Sequence, residues 1–315
     1  MNHRASIYTH AACLAHDTGP QHAERPARLE AVVDALREAF PSAEWLDAPR
    51  ATRGQLARVH DDALIDRVLD APDARIMLDP DTVLSPDSPE AALRAAGAGV
   101  AAVDAVLHGE IDVAFCAVRP PGHHATACIA MGFCLFDSIA VAAAHALDRH
   151  GLSRVSIVDF DVHHGNGTQA IFEQEPRVQY LSSHQMPLYP GTGAEDERGI
   201  GNIVNAGLPS GAGSREFRSA WSSRLLPEID AFAPQLLLVS AGFDADRRDP
   251  LAQLQLDPAD FAWLTAELAS LARRHCSGRM VSMLEGGYDL DGLREGCVAH
   301  VGVLFQARDH AAPPI

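Results

Sequence analysis

Lysine is missing altogether: all 25 basic residues are arginine, set against 42 acidic residues, for a net charge of −17. Nowhere do the arginines gather into a cluster, so the footprint of a nucleic-acid-binding chain is absent and no such partner is expected. Long apolar runs are also lacking. The Ala-rich stretch from Ala91 to Leu107 is interrupted by Arg94 and Asp104 and reads as a packed helix rather than a membrane span. The opening MNHRASIYTHAACLAHD has no apolar core after its basic residue, so a secretory signal is not expected. Cysteine is sparse, with six residues (13, 116, 128, 134, 276 and 297) and no C-x-x-C pair. That spacing gives no zinc knuckle and demands no disulfide, which makes a reducing cytoplasm the expected location. Repeats and low-complexity linkers are missing too, and the expectation is one domain over 1–315. Apolar residues at 47% and charged residues at 21% fit a globular chain with a sizeable core.

What is present is an alternation of short β-branched runs with longer helical patterns. Val113–Val118, Val155–Phe160, Val178–Ser183, Leu236–Ala241 and Met280–Leu284 read as buried strands. Helices are predicted over Pro26–Phe40, Glu90–Leu107, Ser138–Arg149, Glu216–Ala231 and Pro258–Arg274, the last opened by Asp257 with proline at the first helical position. The class this implies is α/β, with a central, mostly parallel sheet flanked by helices. Tyr189–Gly201, rich in Pro, Gly and acids, reads as a surface or active-site loop.

The unusual residues fall at strand ends. Arg119-Pro-Pro-Gly-His-His follows the first of these runs, Asp159-Phe-Asp-Val-His-His-Gly-Asn the second, Gly242-Phe-Asp the fourth and Glu285-Gly-Gly-Tyr the fifth. Carboxyl ends of strands are where open α/β sheets bind ligands. Period-two alternation puts Asp159, Asp161 and His163 on one side, with Phe160 and Val162 turned into packing and His164 on the other side. Asp161 and His163 can share one divalent ion with Asp244, leaving a position for water and substrate. Asp159, further back, suits orienting a neighbour. The adjacent His123 and His124 suit proton transfer, each ring fixed by an acceptor, for which Asp159 and Asn166 are candidates. Tyr288, after Gly286 and Gly287, is a candidate hydroxyl donor to an oxyanion. Phe133 and Tyr189 are candidate walls of the substrate site, with Gly132 and Gly191 allowing close backbone approach, and Leu251 and Gly287 are further candidate substrate-binding positions.

RPPGHHA, GFCLF, VDFDVHHGNGTQ, YPGTG, SAGFDADRRDPLAQ and LEGGY, in this order, resemble the histone deacetylase family in its class II-like branch, alongside bacterial deacetylases and acetylpolyamine amidohydrolases. HDTGPQHAERPARL also resembles that branch's opening segment, and the likeness spans about residues 16 to 300. It implies the arginase/deacetylase fold and hydrolysis of an N-acyl, chiefly acetyl, amide on a lysine side chain or a small amine. It makes Asp161, His163 and Asp244 the ligands of zinc, with iron as the alternative, and His123 and His124 the acid–base pair. Asp159 then pairs with His123, Asn166 with His124, and Tyr288 with the scissile carbonyl. Phe133 lines an acyl tunnel, with Leu188 and Tyr189 opposite. Structural potassium, bound partly through carbonyls near Asp159, Asp161, His163 and Ser182, is implied by the resemblance alone.

Some positions depart from that pattern. Asp137 stands where many relatives of this branch have Asn, and Leu251 stands where a polyamine-selective relative carries an acid. An acylated lysine peptide or a monocationic amine is therefore the expected substrate, with acetylpolyamines the alternative. A dinuclear manganese, arginase-like site would need an acid where Gly165 stands. A protein that merely binds an acylated ligand would have no use for two histidines and Tyr288. A homo-oligomer is compatible with the sequence.

Overall fold

The computed structural model describes residues 4–70 and 72–306. Ten strands occur among them: β1 (Ala5–Thr9), β2 (Glu44–Asp47), β3 (Ile76–Met77), β4 (Val83–Leu84), β5 (Val113–Cys116), β6 (Val155–Asp159), β7 (Val178–Gln185), β8 (Ile203–Leu208), β9 (Leu236–Ala241) and β10 (Met280–Leu284). Eight form a single sheet in the order β2-β1-β5-β10-β9-β6-β7-β8, with every neighbouring pair parallel. β3 and β4 make a separate antiparallel hairpin. The central strands β5, β10, β9 and β6 are buried along their whole length, as a sheet covered on both faces requires.

Helices Ser88–Leu107 and Ser138–His150 pack together against the sheet, while Pro258–His275 and Leu290–Gln306 form a second layer joined by Pro26–Ala39. The result is the single α/β domain expected from the alternation. The helix from Pro258 begins where the sequence signals it, with the Asp257 N–H donating to Asp260 Oδ2 at 3.1 Å. The predicted helix Glu216–Ala231 runs from Ser214 to Phe232, with a π-helical turn at Trp221–Leu225 in its middle. The Trp221 indole donates to Ser183 Oγ beneath it.

Three sheet strands escaped the sequence reading: β1, β2 and β8. β2 (EWLD) and β8 (IVNAGL) are the sheet edges, where polar residues and glycine replace the continuous apolar run of a central strand. β1, short and placed between β2 and β5, has only three buried residues. Among the described residues no helix is long and apolar enough to cross a membrane. All six cysteines are free thiols, and Cys128 is the exposed one.

Candidate metal and active site

The strands carrying the four polar clusters are neighbours at the centre of the sheet, so segments remote in sequence meet at one edge. There the carboxylates of Asp161 and Asp244 flank His163, whose Nδ1 lies 3.1 Å from Asp161 Oδ1 and 3.1 Å from Asp244 Oδ2. Ligand bonds of 2.0–2.2 Å in a tetrahedron place donors about 3.3 Å apart, so this spacing suits one zinc-sized ion. Backbone groups aim the carboxylates: the Gly286 N–H donates to Asp161 Oδ2 and the Val162 N–H to Asp244 Oδ1, both at 2.8 Å. A Cβ on Gly242 or Gly286 would lie 2.0 or 2.1 Å from those carboxylates, so the cradle tolerates no side chain there.

Electrostatics point the same way. Burial and the charge of Asp161 push the Asp244 carboxyl up to about 7. Burial opposes a charge on His163, yet its hydrogen bonds to both aspartates raise it to about 10. A field that holds a proton on a buried imidazole is a field that favours a cation at that point. These residues therefore fit a divalent ion, and their N/O donor set suits a borderline metal.

Beside this group, the His123 and His124 rings lie with centroids 4.0 Å apart and planes tilted by 43°. His123 Nδ1 lies 2.9 Å from Asp159 Oδ2, which also accepts from the Tyr180 hydroxyl at 2.9 Å. His124 Nδ1 lies 2.8 Å from Asn166 Oδ1. Burial opposes charge on both rings, but Asp159 and Asp161 carry His123 well above its ordinary value. Burial and the neighbouring His123 and His163 drive His124 well below its own. His164 turns away, as the alternation predicts, to Thr192 and Gln169.

A cavity of about 230 Å³ opens over these groups. His124, His163 and Tyr288 line it together with the predicted walls Gly132, Phe133, Leu188, Tyr189 and Leu251. Gly132 has φ +57°, and a Cβ there would sit 2.5 Å from the His124 ring. Burial keeps the Tyr288 hydroxyl protonated, and the Phe133 ring meets the Tyr288 ring edge-on at 5.7 Å. Two expectations need correcting. Gly287 does not line the cavity; its carbonyl accepts from Arg28 Nε at 2.5 Å. Gly191 has nothing near its missing Cβ, and the close approach occurs instead at Gly193, against the His184 and His164 rings.

Several supporting residues carried no assigned role in the sequence reading. Asp81 contributes a carboxylate to the cavity wall from the loop between β3 and β4. Arg28 donates to the carbonyls of Glu285 and Gly287 and lies 4.8 Å over the Tyr288 ring. Glu285 accepts the N–H groups of Gly122 and His123. Asp249 accepts those of Leu251 and Tyr288. Arg28, Glu285 and Asp249 all lie within the family-like motifs, but only Glu285 stands beside glycines, and the motifs do not show which backbone groups each one holds. Asp81 had no motif. Asp137 caps helix Ser138–His150 through Ala140 N and accepts from Thr168 Oγ1, with burial raising it to about 7. At Gly165, a Cβ would lie 2.3 Å from Asp159 Oδ2, so the acid an arginase-like second metal requires has no room.

A family model described as the histone deacetylase domain matches residues 22–304. A histone deacetylase-like amidohydrolase from Pseudomonas aeruginosa is 39% identical over 314 residues, spanning 91% of this chain and 82% of its own. The human polyamine deacetylase HDAC10 is 38% identical over 313 residues, 93% of this chain and 45% of its own length. The crystal structure of an HDA15 HD domain superposes with a TM-score of 0.91 at 37% identity, covering 99% of this chain and 90% of that one. Fold, strand-end site and sequence likeness together place the chain in the histone deacetylase family, as an amide-hydrolysing enzyme of the deacetylase type.

Proposed function

We propose that the chain is a mononuclear, zinc-dependent deacetylase acting on acetylated lysine side chains or small monocationic acyl-amines. The observation that carries this is the convergence of Asp161, His163 and Asp244 beside two oppositely tuned histidines at the base of one cavity. A divalent ion held by those three residues supplies Lewis acidity, polarising the acyl carbonyl and making water more acidic.

The remaining steps belong to the side chains. Asn166 fixes the His124 tautomer with the proton on Nδ1, which leaves Nε2 free to accept a proton from the attacking water. His124 then delivers that proton to the leaving amine. His123, charged through Asp159, stabilises negative charge as the tetrahedral intermediate forms. The Tyr288 hydroxyl donates to the oxyanion. Phe133 and Tyr189 wall the acyl chain, and Leu251 sets an apolar rim.

Asp81 supports a second reading. A carboxylate in the cavity wall attracts a cationic group on the substrate, which keeps acetylpolyamines in view. The test is a panel of acetyl-lysine peptides and acetylated putrescine, cadaverine, spermidine and spermine, run beside elemental analysis. The expected result is about one zinc per chain, lost together with activity in Asp161→Ala, His163→Ala and Asp244→Ala. Two stoichiometric manganese ions would overturn the mononuclear reading, and much higher kcat/KM on acetylspermidine or acetylspermine would overturn the substrate preference.

A further inference from the structure

Helices Ser88–Leu107 and Ser138–His150 lie side by side, and both end near the starts of strands β5 and β6. Their carboxyl ends therefore sit at the opposite end of the sheet from the strand tips that carry the chemistry. The 13-residue helix that runs between the two ends is about 20 Å long. At this far end His145 Nε2 and His150 Nε2 approach the same oxygen, Asp104 Oδ1, at 2.7 and 2.6 Å. The three donor atoms lie within 4.8 Å of one another, and among the described residues only the cluster at the strand tips matches this arrangement.

We propose that Asp104, His145 and His150 form a second, peripheral site for a borderline divalent cation of the zinc, cobalt or nickel class. Two imidazole nitrogens and one carboxylate oxygen are the donors such ions prefer, whereas calcium and magnesium demand oxygen. Access exists from outside: His145 and His150 are 5% and 13% exposed in their side chains, while Asp104 is 39% exposed. A rotation of that half-exposed carboxylate opens the 2.6–2.7 Å spacings to the roughly 3.3 Å that ligands of a tetrahedral ion adopt. His108 stands one helical turn beyond Asp104, its ring 5.3 Å from that of His150, and supplies a fourth donor on rotation.

One contact opposes binding and makes the site adjustable. Arg58 Nη1 lies 3.0 Å from His145 Nδ1. A guanidinium only donates, so in this contact Nδ1 holds a lone pair and the ring proton sits on Nε2. A metal on Nε2 moves that proton to Nδ1, and Arg58 must then release the ring while keeping its ion pair with Asp148. The ion thus competes with one hydrogen bond, which predicts moderate rather than extreme affinity. Once bound, it cross-links two helices far from the catalytic residues, so it raises thermal stability and leaves turnover unchanged.

The experiment is equilibrium dialysis of the metal-replete enzyme against free Zn²⁺ or Co²⁺ up to about 100 µM, with bound metal counted per chain. The expected result is about one further equivalent beyond the catalytic one, accompanied by a rise in Tm. Asp104→Asn, which keeps the side-chain shape, and the double variant His145→Gln/His150→Gln should weaken this equivalent by at least roughly tenfold while keeping kcat at low free zinc. Arg58→Gln should tighten it. Uptake that stops at one equivalent overturns the proposal, as does a second equivalent that survives unchanged in the double variant. Circular dichroism of the metal-replete variants at low free zinc separates loss of the site from loss of the fold.

Discussion

Deleting one oxygen from Tyr288 isolates a single donor. Tyr288→Phe keeps the ring against Phe133 and Arg28, and kcat should fall by ~10²–10³ with metal content unchanged. Retention of most of the wild-type kcat on the best substrate would remove the hydroxyl from the mechanism. The histidines differ in their partners, a charged Asp159 against a neutral Asn166. His124→Ala should therefore cost more activity than His123→Ala. Asn166→Asp places a carboxylate against His124 and raises the pH at which that ring loses its proton. The acidic limb of kcat/KM should move upward, and a limb that stays put in an active variant assigns it to another group. At this scale the sequence was most legible where residue type dictates chemistry: the residues offered as acceptors for His123 and His124 are the ones found, in the pairing that the family resemblance implied. Residues that act through backbone were less visible. Nothing in a one-dimensional pattern shows that the Glu285 carboxylate will meet the N–H of Gly122, or that Arg28 will reach two carbonyls beside Tyr288.

Whole elements repeat this division. The buried strands β5, β6, β9 and β10 declare themselves because both faces are apolar, and their following loops hold the candidate site. Edge strands β2 and β8 carry polar residues that read as loop. The hairpin β3–β4 is only two residues per strand, too short for any periodicity, yet its turn delivers Asp81 to the cavity. Two loops thus reach the cavity, one presenting Asp81 and the other Leu251, and the proposed function has them set the preferred substrate charge. Leu251→Glu should shift preference toward polycations. Asp81→Asn should raise KM for cationic acyl-amines more than it lowers kcat. Unchanged KM across the substrate panel in Asp81→Asn would show that the wall carboxylate does not meet the substrate cation.

For the molecule as a whole, one buried carboxylate joins distant parts. Glu24 is fully buried, with its Oε2 2.6 Å from Arg119 Nη2 and its Oε1 3.1 Å from Arg28 Nη1. It thereby links the amino-terminal segment to the loop holding His123 and to the turn holding Tyr288. Burial alone would raise this carboxyl, but Arg119 and Arg28 hold it at about 2, below its ordinary 4.5. A carboxyl depressed on folding contributes its stability in full above its unfolded value and loses it as pH falls through the folded one. That contribution should fade between about pH 4.5 and 2. Glu24→Gln leaves two buried guanidiniums short of a counter-charge and should cost about 3–5 kcal/mol in denaturant unfolding near neutral pH. A loss below about 1 kcal/mol would show that the arginines find other acceptors. The absence of lysine also matters at this scale. No lysine side chain exists in this sequence to be acetylated, so under the proposed function the sequence offers the enzyme no acetyl-lysine of its own.

The sheet order bears on how the chain is made. β10, the last strand in sequence, lies in the middle of the sheet, pairing Met280 with Val113 on one side and with Leu237 on the other. Until that segment leaves the ribosome, β5 and β9 present unpaired, largely apolar edges toward an empty central slot. Such edges template aggregation, and a contact between residues this far apart in sequence forms late. Synthesis is therefore the vulnerable stage of this protein's life. Recovered deacetylase activity after dilution from denaturant should lag behind recovered helical signal, because the final strand to arrive also delivers Tyr288.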